Sequence, residues 1–250
     1  MHKKAIAFSN KILRNRLTSK LFFSARLTWE LAGLTKGSTM EAILRGIGNE
    51  QEFWKRGEED ASRLLKFINK ETIVLDVGCG IGRVMKSMAP HCREVHGVDT
   101  SALILRRAKN ELIELKNCFF HRSEFARFSF PANSFDLIYS FYTLQHMEKE
   151  DAYLSLRRMY DLLKPQGIIY VQFPDFCSDH YFSLFEEYAL RHSKYWARVR
   201  CYTKPEIEQL YAGAGFKILE YNKENENIFV TGKKLANETH RSHQQGSQTS

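Results

Sequence analysis

The stretch Val74-Leu-Asp-Val-Gly-Cys-Gly-Ile-Gly-Arg83 decides the fold of this chain. It begins inside a nearly unbroken apolar run, residues 72–77, of the kind that forms a central parallel strand buried on both faces. Three glycines follow at alternate positions, and a helix comes next. Glycine permits a tight turn there and lets a ligand approach the backbone, because it has no Cβ. The stretch therefore predicts a strand–loop–helix unit with a ligand at the carboxyl end of the strand.

This loop lacks two phosphate-binding patterns. The dinucleotide pattern G-x-G-x-x-G, started at Gly78, needs its last glycine where this chain has Arg83. The phosphate-loop pattern needs Gly-Lys-Ser/Thr, which is absent. A nucleoside ligand without a pyrophosphate is therefore favoured.

Asp99 supports a nucleoside ligand. It ends the second predicted strand, where a carboxylate can accept hydrogen bonds from both hydroxyls of a ribose. The alternative is that Asp99, followed by Thr and Ser, caps the next helix, and the two roles are compatible.

Strands and helices alternate outward from this unit. The predicted strands span 72–77, 94–99, 117–121, 135–140, 167–173, 216–221 and 227–232. The predicted helices span 53–68, 102–115 and 152–163, and a further one starts at Lys204. This order predicts an α/β fold with a doubly wound, seven-stranded, mostly parallel sheet and an antiparallel C-terminal hairpin.

Composition divides the 250 residues into zones. Residues 1–49 form a predicted basic amphipathic helical appendage, and 50–235 form the α/β domain with a lid-like insertion at 175–203. Residues 236–250 are polar and predict a disordered tail. No apolar run reaches the roughly 18 residues of a membrane span. Five scattered cysteines without a C-x-x-C pair predict no zinc site and no disulfide framework, and favour the cytoplasm.

The positive charge is concentrated at the N-terminus. Of the net charge of +8, residues 1–49 carry +7, so the body of the chain is nearly neutral, which argues against a nucleic-acid-binding protein. Leucines recur at near-helical spacing between basic residues in 6–34. Three interpretations stay open: a helix over the mouth of the active site, peripheral membrane contact through residues 1–34, or an organellar targeting peptide.

Six segments of the chain resemble class I S-adenosylmethionine-dependent methyltransferases, in particular the broad small-molecule group. They are V-L-D-V-G-C-G-I-G-R at 74–83, V-H-G-V-D at 95–99, S-F-P-A-N-S-F-D-L-I-Y-S at 129–140, L-Q-H-M at 144–147, L-L-K-P-Q-G at 162–167 and Y-T-K-P-E-I-E-Q-L-Y-A-G-A-G-F at 202–216. The resemblance runs from about residue 50 to 235. It implies a Rossmann-like fold, S-adenosyl-L-methionine as the cofactor, and methyl transfer to O, N or C of a small or lipid-like acceptor.

The resemblance also implies roles for individual residues. Asp76 and the glycine loop would hold the methionine end of the cofactor, Asp99 the ribose and Glu124 the adenine. Ser140 and Phe141 would face the sulfonium and the acceptor. The full set of implied cofactor-binding residues is Asp76, Gly78, Cys79, Gly80, Gly82, Asp99, Thr100, Glu124, Phe125, Ser140 and Phe141.

Two residues after the fourth strand are candidates for catalysis. His146, in Leu144-Gln-His-Met, is the preferred general base, and Tyr142 is a weaker candidate for contact with the acceptor. The alternative for His146 is a structural role in capping the next helix. The motifs Asn/Asp-Pro-Pro-Tyr and Pro-Cys are absent after this strand, which makes methylation of nucleic-acid bases unlikely.

The insertion predicts an anionic acceptor. It is rich in aromatic residues and, from Arg191 to Lys204, carries five basic residues and no acidic one. Guanidinium groups bind carboxylate and phosphate, while aromatic rings supply apolar walls. The alternative is a solvated basic helix face. Two other functions stay open: a non-catalytic cofactor-binding interaction module, and, more weakly, an aminopropyl transferase.

Overall fold

The computed structural model describes residues 25–44, 47, 49–123, 127, 129–190 and 198–235. Its centre is a seven-stranded sheet in the order β3-β2-β1-β4-β5-β7-β6. The strands are β1 (Ile73–Val77), β2 (Glu94–Asp99), β3 (Cys118–Arg122), β4 (Phe135–Ser140), β5 (Leu163–Pro174), β6 (Phe216–Glu224) and β7 (Asn227–Lys234). Strand β7 alone runs antiparallel to its neighbours β5 and β6. The predicted fold class is confirmed.

Helices cover both faces of this sheet. They are α1 (Ala25–Ala32), α2 (Lys36–Ile43), α3 (Glu50–Ser62), α4 (Arg83–Met88), α5 (Ala102–Glu111), α6 (Lys149–Leu162), α7 (Asp179–Leu190) and α8 (Lys204–Ala214). Short 3₁₀ turns lie at Leu65–Phe67, Ala89–His91 and Leu144–His146. No helix within the described ranges is both long enough and apolar enough to cross a bilayer.

The apolar run of β1 is buried because it lies between two hydrophobic cores. Leu75 belongs to the core beneath α6 and α8, whereas Val74 belongs to the core beneath α3 and α4. Strand β1 pairs in parallel with β2 on one side and β4 on the other. The sheet therefore reverses its winding beside β1, and the crevice at the carboxyl ends of β1 and β4 is where such sheets bind ligands.

Several boundaries differ from those predicted. Strand β5 starts at Leu163, directly after α6, because Leu163 is fully buried and pairs with Phe135 of β4. The predicted stop signal Lys164-Pro-Gln-Gly167 forms a bulge in this pairing, where Gln166 adopts a left-handed φ of 68°. The helix predicted over 53–68 begins at Glu50 and ends at Ser62, short of the 3₁₀ turn.

The described part of the N-terminal appendage consists of two short helices, α1 and α2. Helix α1 ends before Gly33, whose backbone approaches α5 so closely that a Cβ there would lie 2.8 Å from Cβ of Leu103. Residues 1–24 and the predicted tail, 236–250, lie outside the described residues, as do residues 191–197 of the insertion.

Candidate functional site

A cavity opens at the carboxyl ends of β1, β2 and β4, beneath α1 and α2. Its wall is formed by Trp29, Ile43, Val77, Gly78, Gly80, Val98, Asp99, Thr100, Ile104, Ser123, Phe141, Tyr142, Thr143, His146 and Met147. Most of these side chains are apolar, and polar groups gather at the end near Asp99. An apolar slot with a polar end suits a purine nucleoside.

The glycine loop forms the floor of this cavity with a left-handed backbone. Gly78 has a φ of 81° and Gly80 one of 55°, and both line the cavity. A Cβ on Gly78 would lie 2.0 Å from Oγ1 of Thr143, so this position also requires glycine for space. Gly82, with a φ of 83°, begins α4, and the buried Cys79 packs beneath Gly97 of β2.

Asp99 ties the end of β2 to this loop. Its Oδ2 accepts a hydrogen bond from the amide of Gly80 at 3.1 Å, and its Oδ1 accepts one from the amide of Ser101 at 2.9 Å. The amide of Thr100 also bonds this carboxylate, which with about four lone-pair sites can still accept from a ligand hydroxyl. Burial raises the pKa of Asp99 to about 6, against the lowering effect of these backbone amides. The N-cap of α5 is Ser101, so capping does not occupy Asp99 directly.

Asp76 lies deeper than the cavity wall. It is buried in the middle of the sheet, and its carboxyl group interacts with the hydroxyl of Tyr139 on β4. Burial raises its pKa to about 7. Its position beneath the glycine loop allows it to support the loop, and its predicted contact with the cofactor stays a prediction.

The remaining predicted cofactor residues divide into three groups. Thr100 and Phe141 line the cavity. Ser140 is fully buried, and its hydroxyl donates to the carbonyl oxygen of Val77 at 2.8 Å, which corrects the expectation that this side chain faces the sulfonium. Glu124 and Phe125, the predicted adenine contacts, lie outside the described residues.

The two catalytic candidates lie together on the cavity wall. The ring of His146 contacts that of Trp29 edge to face at a centroid distance of 5.2 Å, and its Nε2 lies 3.2 Å from Nε2 of Gln145. The N-cap of α6 is Glu148, so His146 does not take the predicted capping position. Tyr142 has a left-handed φ of 56°, a conformation that costs about 1–2 kcal/mol in a residue with a Cβ.

Comparisons with known proteins agree with this geometry. A family model described as a methyltransferase domain matches residues 74–167. This segment is similar to methyltransferase domains, and the sheet shares its fold with S-adenosylmethionine-dependent methyltransferases of known structure. The chain is 32% identical over 131 residues to a probable methyltransferase, ltbC, of Aspergillus luteorubrus. This alignment covers 48% of this chain and 46% of that protein.

A further relative is the phosphoethanolamine N-methyltransferase of Plasmodium falciparum. It is 27% identical over 156 residues, covering 61% of this chain and 56% of that protein. The chain spans about half the length of the curated relatives that it matches. The magnesium protoporphyrin IX methyltransferase of Synechocystis superposes with a TM-score of 0.66 at 14% identity, covering 84% of this chain and all of that one.

The cavity has features that would suit S-adenosylmethionine. Glycine at 78 and 80 leaves the floor free of side chains, and the carboxylate of Asp99 lies beside it. Val77, Ile104 and Phe141 supply apolar surface for the base. Among the described residues, no cluster of His, Cys, Asp and Glu is arranged to hold a metal ion.

Helices α1 and α2 cover the cavity, which agrees with one of the three interpretations that the sequence left open for the N-terminal segment. Trp29 and Ile43 line it, and Glu30 fastens α1 to the start of α5. The carboxylate of Glu30 accepts hydrogen bonds from Ser101 Oγ at 2.9 Å, Ala102 N at 3.0 Å and Leu103 N at 3.1 Å, and it pairs with Arg122 at 3.1 Å. Glu30 thus neutralises the positive end of the α5 dipole. Its only signal in the sequence is that it is the first acidic residue in a basic segment.

The basic end of the insertion makes internal contacts. The guanidinium of Arg200 is mostly buried and pairs with Glu148, whereas Arg198 is 44% exposed and 4.0 Å from the same carboxylate. The backbone amide of Arg200 donates to the carbonyl oxygen of Gln145, next to His146, at 2.8 Å. Arg200, one of the five basic residues of this stretch, is therefore engaged within the domain.

Proposed function

We propose that this chain is an enzyme that transfers the methyl group of S-adenosylmethionine to an oxygen, nitrogen or carbon atom of a small or lipid-like, anionic acceptor. The observation that carries the proposal is Asp99 beside the open glycine floor, within a cavity whose lining also includes Tyr142 and His146. A nucleoside held at Asp99 directs the rest of the cofactor along the loop towards these two residues.

In this reaction the protein mainly has to align the acceptor with the methyl group and exclude water. When bound, the cofactor supplies a methyl group on a positively charged sulfur, which is already a good leaving group. The chain orients the acceptor in line with that methyl group, and such alignment can contribute roughly 7–11 kcal/mol. Trp29 and Ile43 close the cavity from above, and Phe141 and Met147 give it apolar walls that exclude water.

Proton removal falls to His146 when the acceptor atom carries a proton in its reactive form. Its ring lines the cavity, and the contact with Trp29 fixes the plane of the imidazole. Gln145 Nε2 can only donate, so the observed pair leaves Nε2 of His146 as a proton acceptor. An acceptor that displaces the Gln145 amide therefore meets a neutral imidazole nitrogen able to take its proton.

The anionic character of the acceptor rests on charge near the insertion. Arg198 remains 44% exposed beside the segment that carries His146, and the sequence adds Arg191 and Lys194. The relative named for phosphoethanolamine supports an acceptor with a phosphate group. Because Arg200 is committed to Glu148, Arg198 is the described residue of this segment that we assign to recognition of the anion.

A panel of paired acceptors tests this function. Phosphoethanolamine and ethanolamine, and a fatty acid and its methyl ester, would be incubated with cofactor labelled in the methyl group. We expect transfer to the anionic member of a pair, with at least a tenfold loss in Asp99→Ala and in His146→Asn. Binding of the cofactor without transfer to any acceptor would favour the non-catalytic module, and no binding would exclude both.

Peripheral membrane contact through the N-terminal segment is a second part of the proposal. Residues 25–34 are held on the domain by Glu30 and by Arg107, which donates to the carbonyl oxygens of Gly33 and Leu34. The contact therefore falls to residues 1–24, which carry six basic residues and no acidic one. Full-length chain should co-sediment with phosphatidylserine vesicles, and chain lacking residues 1–24 should not. Equal sedimentation of the two would remove this part of the proposal.

A further inference from the structure

The strained backbone of Tyr142 is held by one buried side chain on the neighbouring strand. The amide of Tyr142 donates to Oε1 of Gln172 on β5 at 2.9 Å. Gln172 is 1% exposed and pairs with Phe229 of β7 in the sheet. A buried amide group costs free energy unless all of its hydrogen bonds are made, so its presence needs an explanation.

The other end of the Gln172 amide continues the chain of hydrogen bonds. Its Nε2 donates to Oδ1 of Asn227 on β7 at 2.5 Å. The same Oδ1 accepts a bond from the hydroxyl of Tyr181 at 3.1 Å. Tyr181 is the buried residue of α7, the helix of the insertion. The backbone amide of Tyr142 is thus connected to the insertion through the side chains of Gln172, Asn227 and Tyr181.

This arrangement fixes the orientation of the Gln172 amide. Oε1 must face the Tyr142 amide, which can only donate, and Nε2 must then face the Asn227 oxygen. Nε2 of Gln172 needs an acceptor and therefore fixes Asn227 with its oxygen towards β5, and the hydroxyl of Tyr181 donates to that same oxygen. These hydrogen bonds connect the position of Tyr142 at the cavity to α7.

We infer that Gln172 is a positioning residue for methyl transfer, which holds Tyr142 in its left-handed conformation against the acceptor, and that Tyr181 of α7 completes this support. The inference rests on the proposed function, because it takes the side of the cavity near Tyr142 as the acceptor side. It assigns to the insertion a role in shaping the acceptor pocket through buried hydrogen bonds, in addition to its basic surface.

Four variants test the inference. Gln172→Leu keeps the volume and removes both hydrogen bonds, and Gln172→Glu restores the acceptor for the Tyr142 amide. Tyr181→Phe removes the outermost hydroxyl. The matched control is Tyr153→Phe, which removes one tyrosine hydroxyl bond, to the carbonyl oxygen of Gly213 at 3.0 Å, from the helical layer away from the cavity.

Two readouts separate positioning from simple structural support. The first is amide hydrogen exchange in the complex with S-adenosylhomocysteine. We expect exchange at Tyr142 to accelerate at least tenfold in Gln172→Leu and about threefold in Tyr181→Phe, with Val171 and Phe173 unchanged. The second is methyl transfer to phosphoethanolamine, or to the panel member that turns over fastest. The acceptor KM should rise at least fivefold in Gln172→Leu and recover in Gln172→Glu, while the cofactor Kd stays within twofold.

The outcomes distinguish this inference from the proposed function. Unchanged exchange at Tyr142, an unchanged acceptor KM, or equal loss in Tyr181→Phe and Tyr153→Phe would overturn the inference. Faster exchange along all of β5 would also overturn it, because Gln172 would then support the strand as a whole. A wild-type protein that binds no cofactor or transfers no methyl group contradicts the proposed function, whatever the exchange at Tyr142 shows.

Discussion

The carboxylate of Asp99 and the backbone amide of Gly80 are joined by a hydrogen bond of 3.1 Å. This bond connects the end of β2 to the loop after β1, so the group that we propose for the ribose also fixes the glycine loop that we propose for the methionine end of the cofactor. In the proposed site, these two parts are coupled through one side chain. Asp99 is for that reason the residue on which the account depends most.

Alanine substitutions at two positions of the glycine loop should lower the unfolding free energy by unequal amounts. Gly78→Ala places a Cβ 2.0 Å from Thr143 Oγ1 at a φ of 81°, so the backbone must move, and we expect a loss of about 3–5 kcal/mol in unfolding free energy. Gly80→Ala meets only the terminal methyl of Ile43, at 2.7 Å, which can rotate away. Its cost should be about 1–2 kcal/mol, from the left-handed φ alone. Denaturant unfolding measures both, and equal losses would contradict the assigned cause.

Because α1 covers the cavity, weakening its attachment should raise the rate at which a bound ligand dissociates. Glu30→Ala removes three hydrogen bonds and one ion pair that hold α1 on α5, and bonds to charged groups contribute about 1.5–3 kcal/mol. S-adenosylhomocysteine should then dissociate at least fivefold faster, measured by stopped-flow displacement followed through Trp29 fluorescence.

The control for this prediction is Glu114→Ala, which removes an exposed carboxylate after α5. Dissociation from this variant should match the wild type. If Glu30→Ala leaves the dissociation rate unchanged while amide exchange in α1 accelerates, the cover opens without governing release, and the prediction is wrong.

The buried carboxyl groups predict how stability changes with pH. Burial raises the pKa of Asp76 to about 7, above its value of about 3.9 in an unfolded chain. Between these values the folded state binds more protons, so this group stabilises the protein at low pH, and its contribution is lost as pH rises through 7. Asp76→Asn removes the titration. From pH 5 to pH 8 the unfolding free energy of both proteins is compared. The decrease that Asp76 causes in the wild type, roughly 1–3 kcal/mol, should be absent in the variant.

Denaturant unfolding at the two pH values measures this difference directly. Comparison with the wild type is essential because carboxylates with lowered pKa values, such as Glu148 beside Arg200, change stability in the opposite direction. Identical pH slopes for wild type and variant would show that Asp76 is ionised throughout this range.

Local patterns were sufficient to predict the strands around the glycine loop. The apolar run of β1 and the glycines after it depend on residues adjacent in sequence, and the structure places Gly78, Gly80 and Asp99 together as expected. The start of β5 was missed because proline and glycine, here Pro165 and Gly167, are typical of a turn after a helix and not of a strand. Burial of Leu163 against β4 extends the strand across them as a bulge.

The supporting contacts of the site could not be predicted in the same way. Glu30 contacts the start of α5 about 70 positions along the chain, and Gln172 meets Asn227 across an antiparallel pair. Such contacts exist only once the sheet has formed, and a single glutamate or glutamine carries no periodic signal. The internal partners of Arg200 and Ser140 were missed for the same reason, since Glu148 and Val77 are distant from them in sequence.

Calorimetric titration of S-adenosylhomocysteine into wild type, Asp99→Ala and the surface control Asp161→Ala tests the central claim most directly. Loss of charge-assisted bonds to the ribose, worth about 1.5–3 kcal/mol, predicts a Kd at least tenfold higher for Asp99→Ala, with its thermal unfolding still cooperative and the control unchanged. Equal dissociation constants for wild type and Asp99→Ala would contradict the account, because the cofactor would then bind elsewhere.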